Sequence, residues 1–173
     1  MLTPTINTER LTLRRYVTSD LDALYEIITD QRLQKYIKFP NLTREEELDY
    51  INKSILNADT DKCEKWAIVY NETNEVVGTI SVNSVNSKHN YCNVGYVTRF
   101  SEWGKGYATE ALIAVTKHLL EEGYYLVEAS CNELNAPSIR VMEKAGYIKD
   151  GRIEGRRLND DGTYSAVVFY SKK

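Results

Sequence analysis

The chain has 173 residues, 42% of them apolar and 27% charged, which fits one globular domain over 1–173 with a full hydrophobic core and excludes wholesale disorder. The net charge of −3 argues against a large phosphate-binding surface for DNA or RNA, and no run of eighteen apolar residues is present to cross a membrane. Three cysteines without metal-ligand spacing (Cys63, Cys92 and Cys131) read as reduced thiols in a cytoplasmic protein, and two distant histidines, His89 and His118, offer no histidine-rich metal site. The opening MLTPTINTERLTLRR has no apolar signal core, so no secretory leader is expected.

In chain order, Leu11, Leu13 and Arg15 alternate with Thr12, Arg14 and Tyr16, the period of a strand. Thr18 and Ser19 are placed to cap a helix through Leu21, Leu24, Ile27 and Ile28. Thr43 followed by Glu46 makes a capping-box pattern for a second helix through Leu48, Ile51 and Ile55, on which Glu45, Glu46, Glu47 and Asp49 read as a solvated face, with attraction of a cationic acceptor as the other reading. Residues 57–65 read as a surface loop. The period then changes to two, and residues 66–70, 76–85 and 91–97 read as strands punctuated by turns at 71–75 and 86–90.

Residues 106–122 read as a long helix: Ala108, Ala111, Leu112, Val115 and Leu119 share a face, and Gly123 ends it. A short strand at 126–129 follows, with Cys131 just after it. Asn135 caps a further helix with Pro137 in its first turn and Gly146 past its end. Two last strands surround Asn159-Asp160-Asp161-Gly162. The order β-α-α-β-β-β-α-β-α-β-β is a mixed α/β (α+β) arrangement.

The informative stretch is Gly95-Tyr96-Val97-Thr98-Arg99-Phe100-Ser101-Glu102-Trp103-Gly104-Lys105-Gly106-Tyr107-Ala108-Thr109, where a strand turns into a helix at a glycine corner. Helix N-termini leave N–H groups unpaired and carry partial positive charge, and Gly104 and Gly106 have no side chain to shield them. A pyrophosphate suits such a corner; a tight turn that only starts a helix is the other reading. A dinucleotide fingerprint fails because Thr109 stands where a third glycine is needed, and a Walker loop fails because Lys105 is followed by Gly106.

Trp103 to Ala108 resembles motif A of the GCN5-related N-acetyltransferases, with Trp103 replacing the usual Arg or Gln. Residues 107–112 are similar to the RimJ/RimL branch, as are Thr8 to Arg14 and the set Asn135, Ser138, Arg140, Val141, Lys144, Gly146 and Tyr147. The resemblance implies a mostly antiparallel sheet of about seven strands flanked by about four helices. It also implies an enzyme that passes an acetyl group from acetyl-CoA directly to an amine, without a metal. A non-catalytic acetyl-CoA-binding protein of the same fold is the alternative.

By the same resemblance, the co-substrate is held by Tyr96, Val97 and Thr98, by the corner Trp103, Gly104, Lys105, Gly106, Tyr107, Ala108 and Thr109, and by Asn135 and Ser138. Ser138 is also the candidate acid; its other reading is a first-turn helix residue. Asn93 stands where many relatives carry a glutamate base and Met142 where several carry a tyrosine acid, so the base is left to Glu102, Glu133, His89 or water. His118 reads as helix packing and Cys131 as a buried thiol. The acceptor is expected between the first two helices and the hairpin around 159–162. A poor base favours a peptide N-terminus or a small molecule with a low-pKa amine over lysine, with polyamines, amino acids and aminoglycosides as small-molecule acceptors. No nucleic-acid or membrane partner is expected, and the chain is read as a monomer or homodimer.

Overall fold

The computed structural model describes residues 3–37, 39, 41–56 and 64–173. Its strands are β1 (Ile6–Asn7), β2 (Leu11–Arg14), β3 (Lys65–Tyr70), β4 (Glu75–Asn86), β5 (Tyr91–Thr98), β6 (Leu126–Asn132), β7 (Ile148–Leu158) and β8 (Tyr164–Lys172). The helices are α1 (Leu21–Thr29), α2 (Gln31–Gln34), α3 (Arg44–Leu56), α4 (Tyr107–Glu121) and α5 (Ala136–Lys144). Eight strands form one sheet in the order β1-β2-β3-β4-β5-β6-β8-β7. Seven and four were expected. The additions are β1, a two-residue strand too short to show alternation, and α2, a single turn capped by the Asp30 side chain at Arg32 N–H. Cys63 and most of the expected 57–65 loop lie outside the described residues.

Alternation along the strands sends their side chains to two layers. Leu11, Leu13, Trp66, Ile68, Ile80 and Val82 pack with Ala111, Leu112, Val115 and Leu119 of α4 and Met142 of α5. Ala67, Val69 and Val76 pack on the other face with Leu21, Leu24 and Ile51 of α1 and α3. Gly106 caps α4 in a left-handed conformation (φ 87), and Gly123 (φ 98) closes it, with Tyr124 N–H bonding the Leu119 carbonyl at 3.2 Å.

Thr18 and Ser19 do not cap α1; they open a 3-10 turn, Thr18–Asp20. Asp20 governs that corner instead, accepting from Val17 N–H at 2.9 Å and from both Arg14 Nη atoms at 2.8 and 2.9 Å. The Thr43–Glu46 box forms as expected, with Thr43 N–H 2.7 Å from the Glu46 carboxylate. Strand β6 runs on to Asn132, so Cys131 lies within it and is half-buried, whereas Cys92 is fully buried. Among the described residues no helix is long and apolar enough to cross a membrane, and no three His, Cys, Asp or Glu side chains gather as a metal site.

One feature of the topology sets up the site. Every neighbouring pair of strands is antiparallel except β5 and β6, which run parallel and pair only at Tyr91–Leu126, Cys92–Val127 and Asn93–Glu128. Beyond Asn93, β5 follows β4 and β6 follows β8, so the sheet splits. A bulge in β4 between Val82 and Ser84 lies opposite this point and bends the β4–β5 ribbon. At the far end Gly78 lets the two strands close up: a Cβ there would sit 2.4 Å from the Val97 carbonyl oxygen.

Gly78→Ala therefore forces β4 from β5 and should lower stability by about 1–3 kcal/mol in urea unfolding. A change under about 0.5 kcal/mol would show that the strands have room to adjust.

Candidate active site

The corner between β5 and α4 is built from backbone. A 3-10 turn (Phe100–Glu102) leads through Trp103 to Gly104 (φ 80) and Gly106 (φ 87), both left-handed. Gly106 has no side chain to cap the helix, and among the described residues nothing accepts from the N–H groups of Gly104, Gly106, Tyr107, Ala108 or Thr109. These five residues line one concavity at the positive end of a fifteen-residue helix. Trp103 supports the corner from behind: its Nε1 donates to the Thr98 carbonyl at 3.2 Å, and its ring packs on Phe100 and Tyr36.

The turn between β1 and β2 clamps this corner from outside. Glu110, in the first turn of α4, accepts from Thr8 Oγ1 (2.7 Å), Arg10 N–H (2.9 Å) and Arg10 Nε (2.7 Å). Arg10 Nη1 reaches on to the Lys105 carbonyl at 2.9 Å, and the guanidinium lies over the Tyr107 ring. Burial works against the Glu110 charge, but the Thr8 and Arg10 hydrogen bonds and the Arg10 charge prevail and hold its carboxyl below the ordinary range.

Two clefts meet in the split between β5 and β6. The first, of about 320 Å³, is lined by Tyr96, Val97, Thr98, Trp103, Gly104, Gly106, Tyr107, Ala108, Thr109, Asn135 and Ser138. Of the expected binding residues only Lys105 is missing; its ammonium turns out to Glu102 at 2.9 Å. Ile37, Glu102, Pro137, Arg140, Val141 and Lys144 also line this cleft. Four of these stand on α5 at positions 137, 140, 141 and 144, a spacing that puts them on one helical face and could have been read from the sequence.

The second cleft, of about 440 Å³, lies across β5. Its walls are Leu24, Ile27 and Ile28 of α1, Glu47 and Tyr50 of α3, Tyr16, Thr79, Ser81 and Asn83, then Ala129, Ser130, Cys131, Asn132, Met142 and Arg157. The tip of the late hairpin at 159–162 takes no part; Arg157, just before it, does. Ile37, Tyr96, Val97, Asn135 and Ser138 border both clefts.

Backbone direction alternates along β5. Arg99 N–H bonds Val77 C=O on the β4 side, and Tyr125 N–H bonds Asn90 C=O on the β6 side. Tyr96 and Thr98 therefore point their backbone groups into the split, whereas Val97 pairs with Thr79 and reaches the clefts by its side chain. Asn135 caps α5, its Oδ1 accepting from Ser138 N–H at 3.2 Å. Tyr96 Oη lies 3.1 Å from both Ser138 Oγ and the Ser138 carbonyl, joining β5 to α5 across the split. Burial raises the Tyr96 hydroxyl and Cys131 thiol pKa values, so both are protonated at neutral pH and Cys131 is no thiolate nucleophile.

Among the acids, the structure corrects the solvated-face reading of α3. Glu47 is only 4% exposed and lines the second cleft, and burial pushes its carboxyl up to about 6. Glu102 lines the first cleft, paired with Lys105. Glu133 lines neither; it is held by Arg152 at 2.7 Å and by Ala166 N–H. His89 sits in the β4–β5 turn, and His118 packs edge-on to Trp66 with Glu64 3.4 Å away. Asn93 lines neither cleft and is 3.4 Å from the Asn83 amide; Met142 is buried at the base of the second.

The sequence pattern of the acetyltransferase (GNAT) domain matches residues 10–148. The chain is 31% identical to YnaD of Bacillus subtilis (strain 168), an uncharacterised N-acetyltransferase, over 84% of each protein. A GNAT-family acetyltransferase structure from Bacillus anthracis superposes with a TM-score of 0.84 at 27% identity, covering 98% of both chains. RimL, a ribosomal L7/L12 alpha-N-protein acetyltransferase solved in complex with coenzyme A, superposes at 0.86 and 22% identity, covering 98% of this chain and 97% of that one.

Because Glu110 is held ionised in the folded state, its contribution is present above the unfolded carboxylate pKa and is lost as pH falls through the depressed folded value. Glu110→Gln should cost about 1–3 kcal/mol at pH 7, and the difference from the parent should shrink below about pH 4. Urea unfolding at both pH values measures this; an equal loss at each would assign the effect to packing.

Proposed function

The chain belongs to the acetyltransferase (GNAT) domain family and is an N-acetyltransferase, and on that premise we propose that it transfers acetyl from acetyl-CoA directly to an α-amine held in the second cleft. The supporting observation is the meeting of the two clefts at Tyr96 and Ser138, inside the split between β5 and β6. Acceptor and donor then approach one point from opposite sides of a strand, as direct transfer requires.

The α4 corner holds the diphosphate with its free N–H groups, and Arg140 and Lys144 add positive charge to the same cleft. Acetyl-CoA, when bound, supplies the acetyl group as a thioester. The split-facing backbone of Tyr96, the Thr98 N–H and the Asn135 side chain orient the arm that carries it. The amine nitrogen bonds to the carbonyl carbon as the carbon–sulfur bond breaks; the nitrogen loses a proton and the sulfur gains one. Ser138 Oγ–H, held by Tyr96 Oη, gives its proton to the departing sulfur and takes up the one the new amide nitrogen loses. Glu47 receives the proton from the incoming ammonium, directly or through water.

The pKa gap selects the acceptor. Transfer to a carboxylate near 6 is uphill by about 2.5 kcal/mol from an α-ammonium of pKa about 7.7–8.0, and by about 6 kcal/mol from lysine at about 10.4. The alpha-N-protein activity of RimL agrees with this class.

Thiol release from acetyl-CoA should be at least about tenfold faster, in kcat/KM, with α-amines than with matched lysine side chains. The pH profile should rise in two steps, at about 6 as Glu47 ionises and again toward the acceptor's own ammonium pKa, and then level off. Glu47→Gln should remove the lower step and lower the plateau by about 100-fold. A single rise through the acceptor's pKa in both proteins would remove Glu47 from the reaction.

A further inference from the structure

Resting on the reading that the acceptor occupies the second cleft, we propose that the acceptor carries a carboxylate as well as its amine, and that Arg157 binds it. Arg157 stands near the end of β7 and lines that cleft. Its Nη2 is buried and has no hydrogen-bond partner. Among the described residues no carboxylate pairs with it, although Arg10, Arg14, Arg32, Arg44, Arg99, Arg140 and Arg152 each have one. A buried guanidinium nitrogen left unpaired is rare in a folded protein, and an oxygen of a bound molecule is the natural partner for it. The guanidinium fork matches a carboxylate with two parallel hydrogen bonds.

Its place on the wall is fixed and close to the chemistry. Arg157 pairs across the hairpin with Ser165, whose hydroxyl bonds Asn159 Oδ1 at 3.0 Å; Asn132 Nδ2 of β6 bonds the same oxygen at 3.2 Å. The hairpin is thereby tied to β6, and Arg157, Cys131 of β6 and Ser138 line one cleft. Glu47 of α3 and apolar side chains of α1 line the same cleft. One carboxylate and one unpaired cation complement an ammonium–carboxylate pair. The same cation repels a polyamine or an aminoglycoside, which offer only positive charge.

Two sources supply this chemistry: a free amino acid with its own carboxylate, and a peptide whose N-terminal residue is Asp or Glu. Both are tested against neutral counterparts, the amino-acid amide and the Asn or Gln peptide, by thiol release and product mass. The parent should favour one carboxylate acceptor over its neutral counterpart by about 10- to 100-fold in kcat/KM. Arg157→Gln should collapse that ratio toward one, and Arg157→Lys should retain part of it, while coenzyme A affinity by calorimetry reports an intact fold. The proposal is overturned if neutral and acidic acceptors react alike in the parent, or if Arg157→Gln slows both equally. Acetylation of amines without carboxylate preference would leave the α-amine reading standing, whereas no acetylation of any amine would end both.

Discussion

The parting of β5 from β6 after three residue pairs is the constraint on which the rest depends. A sheet interior normally pairs every backbone group, and each one left unpaired costs about 1–3 kcal/mol away from water. Here the split-facing groups of Tyr96 have no neighbouring strand to meet, the Thr98 carbonyl takes Trp103 Nε1 in place of one, and Tyr96 borders both clefts. The gap puts polar backbone in the middle of the molecule without closing it off. In the proposed reading this gap takes the extended thioester arm.

The rest of the fold holds that slot open. The β4 bulge and Gly78 set the path of β5, while Tyr96 and Ser138 brace it against α5. Thr8 and Arg10 grip Glu110 and Lys105 from outside, so the corner of α4 keeps its shape without a side chain inside it. Function also has a cost. The raised Glu47 pKa means the folded state binds its proton more tightly than the unfolded chain, so stability declines as pH rises from about 4.5 to about 6. The loss is on the order of 1–2 kcal/mol at neutral pH.

Much of this was legible in the sequence because it is local. Helix α4 shows its period, its glycine corner and its stop, and the first-cleft residues lie in two short segments, 96–109 and 135–138. What escaped is set by distant parts of the chain. The split shows in no single strand, since β5 and β6 each alternate normally and only their register reveals it. Glu47 was hidden among four acids, although its four-residue spacing from buried Ile51 places it beside the apolar stripe of α3. Arg157 lies in a strand that is exposed almost throughout, and only the docking of the hairpin on β6 brings its guanidinium into the cleft. Strand β1 and helix α2 are too short for any period to show.

A crystal structure with coenzyme A decides whether the corner and the split form its binding site. If they do, diphosphate oxygens lie within about 3.2 Å of the corner N–H groups at Gly104 to Thr109, and the thiol end lies inside the split beside Tyr96 and Ser138. Coenzyme A bound elsewhere, with β5 and β6 zipped together beyond Asn93, would contradict that assignment.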